Sequence, residues 1–219
     1  MADPAPSPRL VLASGSPRRR ELLATLGLHP EVRPSNVDET RRLGESPDGY
    51  VTRLAALKAG FAVGSGEAAL GADTVVVLGD DILGKPTDES DAVAMLTRLS
   101  GGTHRVFTAQ AVVARDPGGA FTHRLGALST TEVTFRQLSA AEVEAYVATG
   151  EPMDKAGAYG IQGGAGGFVD RIDGRRDTVI GLDLQWTRRL LAGVGIDPAD
   201  PDPPGSGAAT TDRGATRSA

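Results

Sequence analysis

The residues able to do chemistry in this chain are arginines at a helix start, carboxylates beside apolar runs, and lysines next to glycine or proline. From Leu10 to Leu23, a short apolar strand leads into Ser14-Gly15-Ser16-Pro17-Arg18-Arg19-Arg20 and then Glu21-Leu22-Leu23. The spacing predicts a strand, a tight turn and a helix. Ser16 is expected as N-cap, with Pro17 at the first helical position, where its missing N–H costs nothing. Each cation in a first helical turn costs roughly 0.3–1 kcal/mol, because that end of the helix is itself partly positive; a docked anion is favoured by helix and arginines together. The chemistry expected is capture of an anion by Ser14, Arg18 and Arg19, although such a run read alone is an ordinary solvated basic turn.

Asp73 lies between Gly71-Ala72 and Thr74-Val75-Val76-Val77. It is expected at the mouth of a strand spanning Thr74 to Leu78, where aspartate is depleted unless it caps, turns or does chemistry. Lys85, at the exit of a predicted hairpin and held by Pro86, is suited to place a point charge on a phosphate. Gly79 to Lys85 has the spacing of a phosphate-binding P-loop, but Pro86 stands where Ser or Thr must hold magnesium, so a P-loop NTPase is excluded. Val37-Asp38-Glu39 supplies further carboxylates, and Lys58 and Asp154-Lys155 supply charges in or near predicted elements. Gln162 sits among glycines and carries an amide that donates and accepts at once, as a nucleobase edge requires. Taken singly, each has a plain alternative: a capping aspartate, a loop lysine, surface charge, a glycine hairpin.

The elements that must position these residues alternate between helix and strand, which makes the class α/β. The helix from Pro17 buries Leu22, Leu23 and Leu26 and stops at Gly27; a second spans about Tyr50 to Val63; the hairpin turn at Gly79-Asp80-Asp81 leads into Ile82-Leu83. A helix opening at Asp88 or Ser90 ends at Gly101-Gly102, and Val106 to Ala114 and Leu125 to Phe135 read as paired strands joined through Asp116-Pro117-Gly118-Gly119. Ser139 with Glu142 is a capping box that opens a helix ending before Gly150. Gly157 to Gly167 reads as a loop, Phe168 to Ile172 as a strand, and Leu182 to Leu191 as a final helix carrying Trp186. One domain is expected over residues 8–196, with a flexible start at 1–7 and a disordered tail at 197–219 whose composition leaves almost nothing to bury.

Composition narrows the function. The 219 residues include no cysteine, which excludes a disulfide framework, a thiol nucleophile and a zinc-thiolate site, and His29, His104 and His123 lack ligand spacing. The net charge of −5 argues against polymeric nucleic acid as partner but not against a local basic pocket for a small phosphate ligand. The N-terminus does not read as a secretory leader and no apolar run approaches the ~20 residues of a membrane span, so no membrane partner and a cytoplasmic location are expected.

Six separated motifs resemble, in order, those of the Maf family of nucleoside triphosphate pyrophosphatases: Leu12-Ala-Ser-Gly-Ser-Pro-Arg-Arg, Val37-Asp-Glu, Gly71-Ala-Asp-Thr, Gly84-Lys-Pro, Leu99-Ser-Gly-Gly-Thr-His, and Asp154-Lys-Ala-Gly-Ala-Tyr-Gly-Ile-Gln-Gly. The resemblance covers Leu10 to about Leu191. It implies a mixed-sheet fold with flanking helices and a central cleft, of the kind shared with ITPases. It also implies cleavage of a nucleoside triphosphate between its α- and β-phosphates with a divalent cation, magnesium or manganese. Asp73 matches the family's proposed proton acceptor; for such a reaction Lys58 and Lys85, with Arg18, Arg19 and the cation, are expected to offset the charge of the triphosphate and its leaving pyrophosphate. Arg18, Thr74 and Gln162 fall on positions for substrate discrimination, and their combination looks like the branch acting on dTTP and UTP. In the 7-methyl-GTP branch, tryptophan follows the serine-proline, glutamine follows the aspartate, and Ser-Glu-Gly replaces Ile-Gln-Gly.

Within that expectation Ser14, Arg18, Arg19, Thr74 and Gln162 bind substrate, Asp73 orients or deprotonates the attacking water, and Glu39 helps Asp73 hold the metal. Gly181-Leu182-Asp183 departs from the family's Gly-Leu-Pro at the start of the last helix, and Arg175-Arg176-Asp177 is unusually charged and placed to alter base or phosphate contacts. The rival from another class is a nucleotide-binding regulator of septum formation without turnover; the nearer rival is the same reaction on broad or modified nucleotides. The expected partner is the nucleoside triphosphate, with a homodimer allowed.

Overall fold

The computed structural model describes residues 7–198. The expected tail from 199 onward and the start before Ser7 lie outside that range. A central mixed sheet carries helices on both faces. Its strands are β1 (Arg9–Leu12), β2 (Glu31–Val32), β3 (Glu67–Leu78), β4 (Asp81–Leu83), β5 (Thr103–Arg115), β6 (Phe121–Phe135) and β7 (Val169–Asp173), in the order β2-β1-β3-β5-β6-β7, with β4 also paired to β3. The helices are α1 (Pro17–Ala24), α2 (Pro47–Ala62), α3 (Glu89–Leu99), α4 (Ala140–Val147), α5 (Arg176–Ile180) and α6 (Leu184–Ala192). This is the mixed α/β architecture the sequence led us to expect.

The central strand is longer than expected and moves one residue. β3 starts at Glu67, so Asp73 lies inside the strand and not at its mouth. The Glu67-Ala-Ala-Leu-Gly-Ala half is poor in β-branched residues and gives little strand signal. Tertiary context decides it: β5 pairs with β3 from Ala68 to Val77, and nearly every residue of β3 is buried. Gly71 shows why this half is small. A Cβ there would sit 2.3 Å from the Ala55 carbonyl oxygen and 2.6 Å from the Ala59 nitrogen, so glycine lets the α2 backbone pass close over the strand.

The two edges of β3 differ. β5 covers one edge almost completely. On the other, β1 runs parallel along Glu67 to Leu70, and β4 folds back along Val76 to Leu78. Among the described residues no strand pairs with Gly71 to Val75 on that side, and this gap is the floor of the cleft.

Alternation along β3 separates the packing beneath α2 from the rest. Ala69, Val75 and Val77 pack with Val51, Ala55 and Ala59 of α2. On the opposite face, Leu70 and Ala72 pack with Leu22, Leu23, Leu190 and Leu191, and Val76 packs with Leu96, Phe135 and Tyr159. Asp73 and Thr74, being adjacent, point to opposite faces at the gap.

Helix ends follow the sequence with local corrections. Ser139 and Glu142 form both bonds of the capping box, and Gly27 ends α1 with φ of +70°. Asp88, not Ser90, caps α3. Ser16 occupies the N-cap position of α1 but its side chain makes no capping bond; Ser14 Oγ accepts from the Ser16 N–H instead. The helix expected from Tyr50 begins at Pro47 behind Ser46. The final helix starts at Leu184, where Asp183 accepts from the Gln185 and Trp186 N–H groups, so the aspartate that departs from the Gly-Leu-Pro pattern supplies a cap. α5 was not foreseen, because five residues hold too few turns for a periodic pattern.

Candidate active site

The gap in the β3 edge opens into a cavity of about 580 Å³. It is lined by all of the predicted residues: Ser14, Arg18, Arg19, Glu39, Lys58, Asp73, Thr74, Lys85 and Gln162. They arrive from the β1–α1 turn, the segment before α2, α2 itself, β3, the β4 exit and the glycine-rich loop before β7. Ligand pockets have this scale, with a few polar groups converging from separate elements.

On the α2 face of the gap, Lys58 Nζ lies 2.6 Å from Asp73 Oδ1 and 2.9 Å from Glu39 Oε1. α2 brings the lysine there because Gly71 permits its close approach. Asp73 is 7% exposed, and burial, which disfavours the charged form, raises its pKa above the ordinary aspartate value even though Lys58 and Arg19 pull the other way. A carboxylate so placed is a stronger base than an exposed one. Tyr50 also lines the cavity and donates to the Glu39 carbonyl at 2.9 Å, anchoring the segment that carries Glu39.

At the start of α1 the arginines divide. Arg18 reaches towards Asp154 at 3.4 Å across the cleft. Arg19 is turned inward: Nε donates to the Gly181 carbonyl at 3.0 Å, Nη1 to Ser14 Oγ at 3.0 Å, and Nη2 to Thr74 Oγ1 at 3.3 Å. Burial lowers its pKa, opposed by attraction to Asp73. Ser14 Oγ accepts from Arg19 and from the Ser16 N–H, so its own proton is what it can offer a bound oxygen. Lys85 is exposed beside buried Pro86 and makes no ion pair among the described residues.

Gln162 is exposed on a loop whose shape is set by Glu151. Tyr146 Oη donates to Glu151 Oε1 at 3.0 Å, the Gly164 N–H donates to Oε2 at 3.1 Å, and a Cβ at Gly163 would fall 2.1 Å from Oε1. Arg176 donates to the Ile161 carbonyl at 2.9 Å from the other side. Arg175 pairs with Asp177 and Asp183. Neither Arg175 nor Arg176 lines the cavity, so the expectation that they alter base or phosphate contacts is corrected: they brace the loop and the start of α6.

Residue-by-residue reading underrated Lys155, which also lines the cavity and lies 2.7 Å from Asp154. A compositional signal was available. Every lysine of the chain, Lys58, Lys85 and Lys155, lines this one cavity, while arginine supplies the remaining cations. Tyr50 and Glu151 carried no local signal, since each acts by reaching a backbone group far from its own turn.

The fold and site define an α/β protein with a polyanion-sized basic cleft around a buried, lysine-paired carboxylate. The chain belongs to the Maf family: the family described as Maf-like protein matches residues 9–194. It is 51% identical over 190 residues to a protein of Anaeromyxobacter dehalogenans named dTTP/UTP pyrophosphatase, covering 87% of this chain and 96% of that one. A Vibrio cholerae protein of the same name is 50% identical over 186 residues, covering 84% and 96%. Likeness to a solved HAM1 protein from Coxiella burnetii is slight, at 15% identity and a TM-score of 0.35 over 57% of this chain and 72% of that one.

Proposed function

We propose that this chain hydrolyses nucleoside triphosphates, dTTP and UTP foremost, at the α–β phosphoanhydride to give the monophosphate and pyrophosphate. The observation that carries this reading is Asp73: a buried carboxylate with a raised pKa, set at the gap in β3 within a cavity that also holds Arg18, Arg19, Lys58, Lys85 and Lys155. The relatives' names supply the substrate class.

The reaction needs a water activated beside the α-phosphorus and compensation for charge on the leaving group. Asp73 accepts the water's proton as the new P–O bond forms. The bond from α-phosphorus to the bridging oxygen then breaks, and pyrophosphate leaves with that electron pair. Lys85, Lys155, Arg18 and Arg19 surround the phosphates, and Ser14 donates to a phosphate oxygen. Lys58 keeps Asp73 ionised and oriented until substrate arrives.

The donor set fits a hard divalent cation. Asp73 and Glu39 converge on one point, held here by the Lys58 ammonium, and magnesium is commonly bound by one or two carboxylates with substrate phosphates completing its shell. Bound there, magnesium or manganese would neutralise phosphate charge. Asp73 and Glu39 are the residues that would hold it.

The test is pyrophosphate release by the purified chain with Mg²⁺ or Mn²⁺ across dTTP, UTP, CTP, ATP, GTP and 7-methyl-GTP. Release fastest with dTTP and UTP, and dependent on Asp73, is the expected result. Nucleotide binding without turnover on any of them would overturn it in favour of a regulator.

A further inference from the structure

Thr74 lies on the cavity wall, and its hydroxyl is one link in a chain of hydrogen bonds whose direction can be read. Thr108, fully buried on β5 opposite Thr74, lies 2.8 Å from the Thr178 carbonyl oxygen at the middle of α5. A carbonyl only accepts, so the Thr108 proton is committed to it. Thr74 Oγ1 lies 2.9 Å from Thr108 Oγ1, and the remaining proton of that pair must come from Thr74. Arg19 Nη2, which only donates, occupies one lone pair of Thr74 at 3.3 Å. What Thr74 retains is a single acceptor site.

The face of β3 matters as much as the polarity. Asp73 points to the α2 side with Lys58, whereas Thr74 shares its face with Val76. A Cβ on Gly157, at the root of the segment carrying Gln162, would sit 2.8 Å from Val76 Cγ2. Thr74 therefore belongs to the half of the cleft that holds the Gln162 loop, the half away from Lys58 and Asp73.

We propose that Thr108 is a specificity-positioning residue: by passing its proton to the Thr178 carbonyl it fixes Thr74 as an acceptor, so the cleft favours bases whose ring N3 carries a hydrogen. Uracil and thymine present an N3–H donor. Cytosine presents a bare N3 acceptor at that position, which would face the Thr74 lone pair with no proton between them, and an unpaired polar contact in a closed site is costly. This inference rests on the nucleotide-binding part of the function proposed above and requires no turnover.

The experiment compares equilibrium binding of the α,β-methylene analogues of UTP and CTP, whose carbon bridge blocks cleavage, to the wild type, Thr108→Val and Thr108→Ser. In Thr108→Val, Thr74 is released to rotate its proton towards the ligand. The expected result is that the wild type prefers the uridine analogue, that Thr108→Val reduces the preference by about tenfold or more, and that Thr108→Ser keeps it. Thr74→Val, which removes the hydroxyl itself, should lose the preference too, and it remains informative if Thr108→Val does not fold. An unchanged preference in Thr108→Val or in Thr74→Val overturns the proposal. So does an equal loss in Thr108→Ser, which would make the effect one of packing. A wild type that binds the analogues with this pattern but turns over no nucleotide overturns the hydrolase reading alone; a wild type that binds neither overturns both.

Discussion

Two buried carboxylates lie six residues apart on the same strand and differ in almost every consequence. Glu67, at the start of β3, is 4% exposed; Asp73, at the gap, is 7% exposed. Glu67 is clasped by Arg33 at 2.7 Å, by Arg9, and by the Gly64 N–H at 2.8 Å, and these bonds, the Arg33 pair foremost, hold its pKa down at about 2. Among the described residues Asp73 has one close hydrogen-bonding partner, the Lys58 ammonium, and its pKa is raised. Low exposure alone thus does not separate a structural carboxylate from a reactive one: desolvation prevails at Asp73, and the Arg33 bonds prevail over it at Glu67. How completely donors saturate each group decides which effect wins: forked guanidinium and backbone N–H groups satisfy Glu67, whereas Asp73 keeps oxygen capacity for something that is not part of the protein.

The largest expected effect at the reactive member is on rate. Asp73→Asn should cut pyrophosphate release by about 10²–10⁴-fold with Tm held or raised, since the substitution removes a charge that burial opposes. A full-rate Asp73→Asn enzyme would break the comparison outright. Lys58→Gln comes next. It removes the cation that favours the Asp73 carboxylate, so the rate should fall about tenfold or more, and the acid limb of kcat/KM should move to higher pH. In the wild type that limb should already lie above the ordinary aspartate range near 4, with activity lost as pH falls through the raised value. A limb unmoved by Lys58→Gln would detach the lysine from the base.

The smallest expected effect on rate, and the clearest on stability, belongs to Glu67→Gln. Unpairing Arg33 and Arg9 should cost about 1–3 kcal/mol, a drop in Tm of roughly 3–10 °C, with kcat unchanged. The pH dependence should separate the pair by sign. The folded-state pKa of Glu67 is depressed from 4.5 to about 2, so its stabilisation is fully present above its unfolded value and is lost as pH falls towards 2. Asp73, being raised, contributes in the opposite sense: its ionisation opposes folding as pH rises through its folded value. Thermal melts from pH 2 to 7 on Glu67→Gln and Asp73→Asn should show the acid loss flattened only in the first.

Much of this was legible in the sequence where the signal is local. The capping box at Ser139, the stop at Gly27 and the hairpin into Ile82-Leu83 each depend on neighbours in the chain, and each formed as read. Asp73 was expected at the mouth of its strand and lies inside it, because Glu67 to Ala72 become strand only by pairing with β1 and β5. Glu151 carried no sequence signal for a related reason, since the Gly164 N–H that it holds lies thirteen residues away; Lys155 was visible as a charge beside Asp154, but its place on the cavity wall was not. The arginines at 175 and 176 looked like ligand contacts because charge is visible in sequence and its direction is not.

The five-residue gap beside β3 has a consequence for any attempt to improve this protein. By the two-residue period of the strand, the main-chain groups of Ala72 and Thr74 point the same way as the Leu70 carbonyl, which accepts from Ala13. Extending β1 past Ala13, or lengthening β4 beyond Leu83, would add rungs to the ladder and raise stability while filling in the floor of the cleft. At this spot the better-knit sheet and the working sheet are different molecules, and selection for one alone would erase the other.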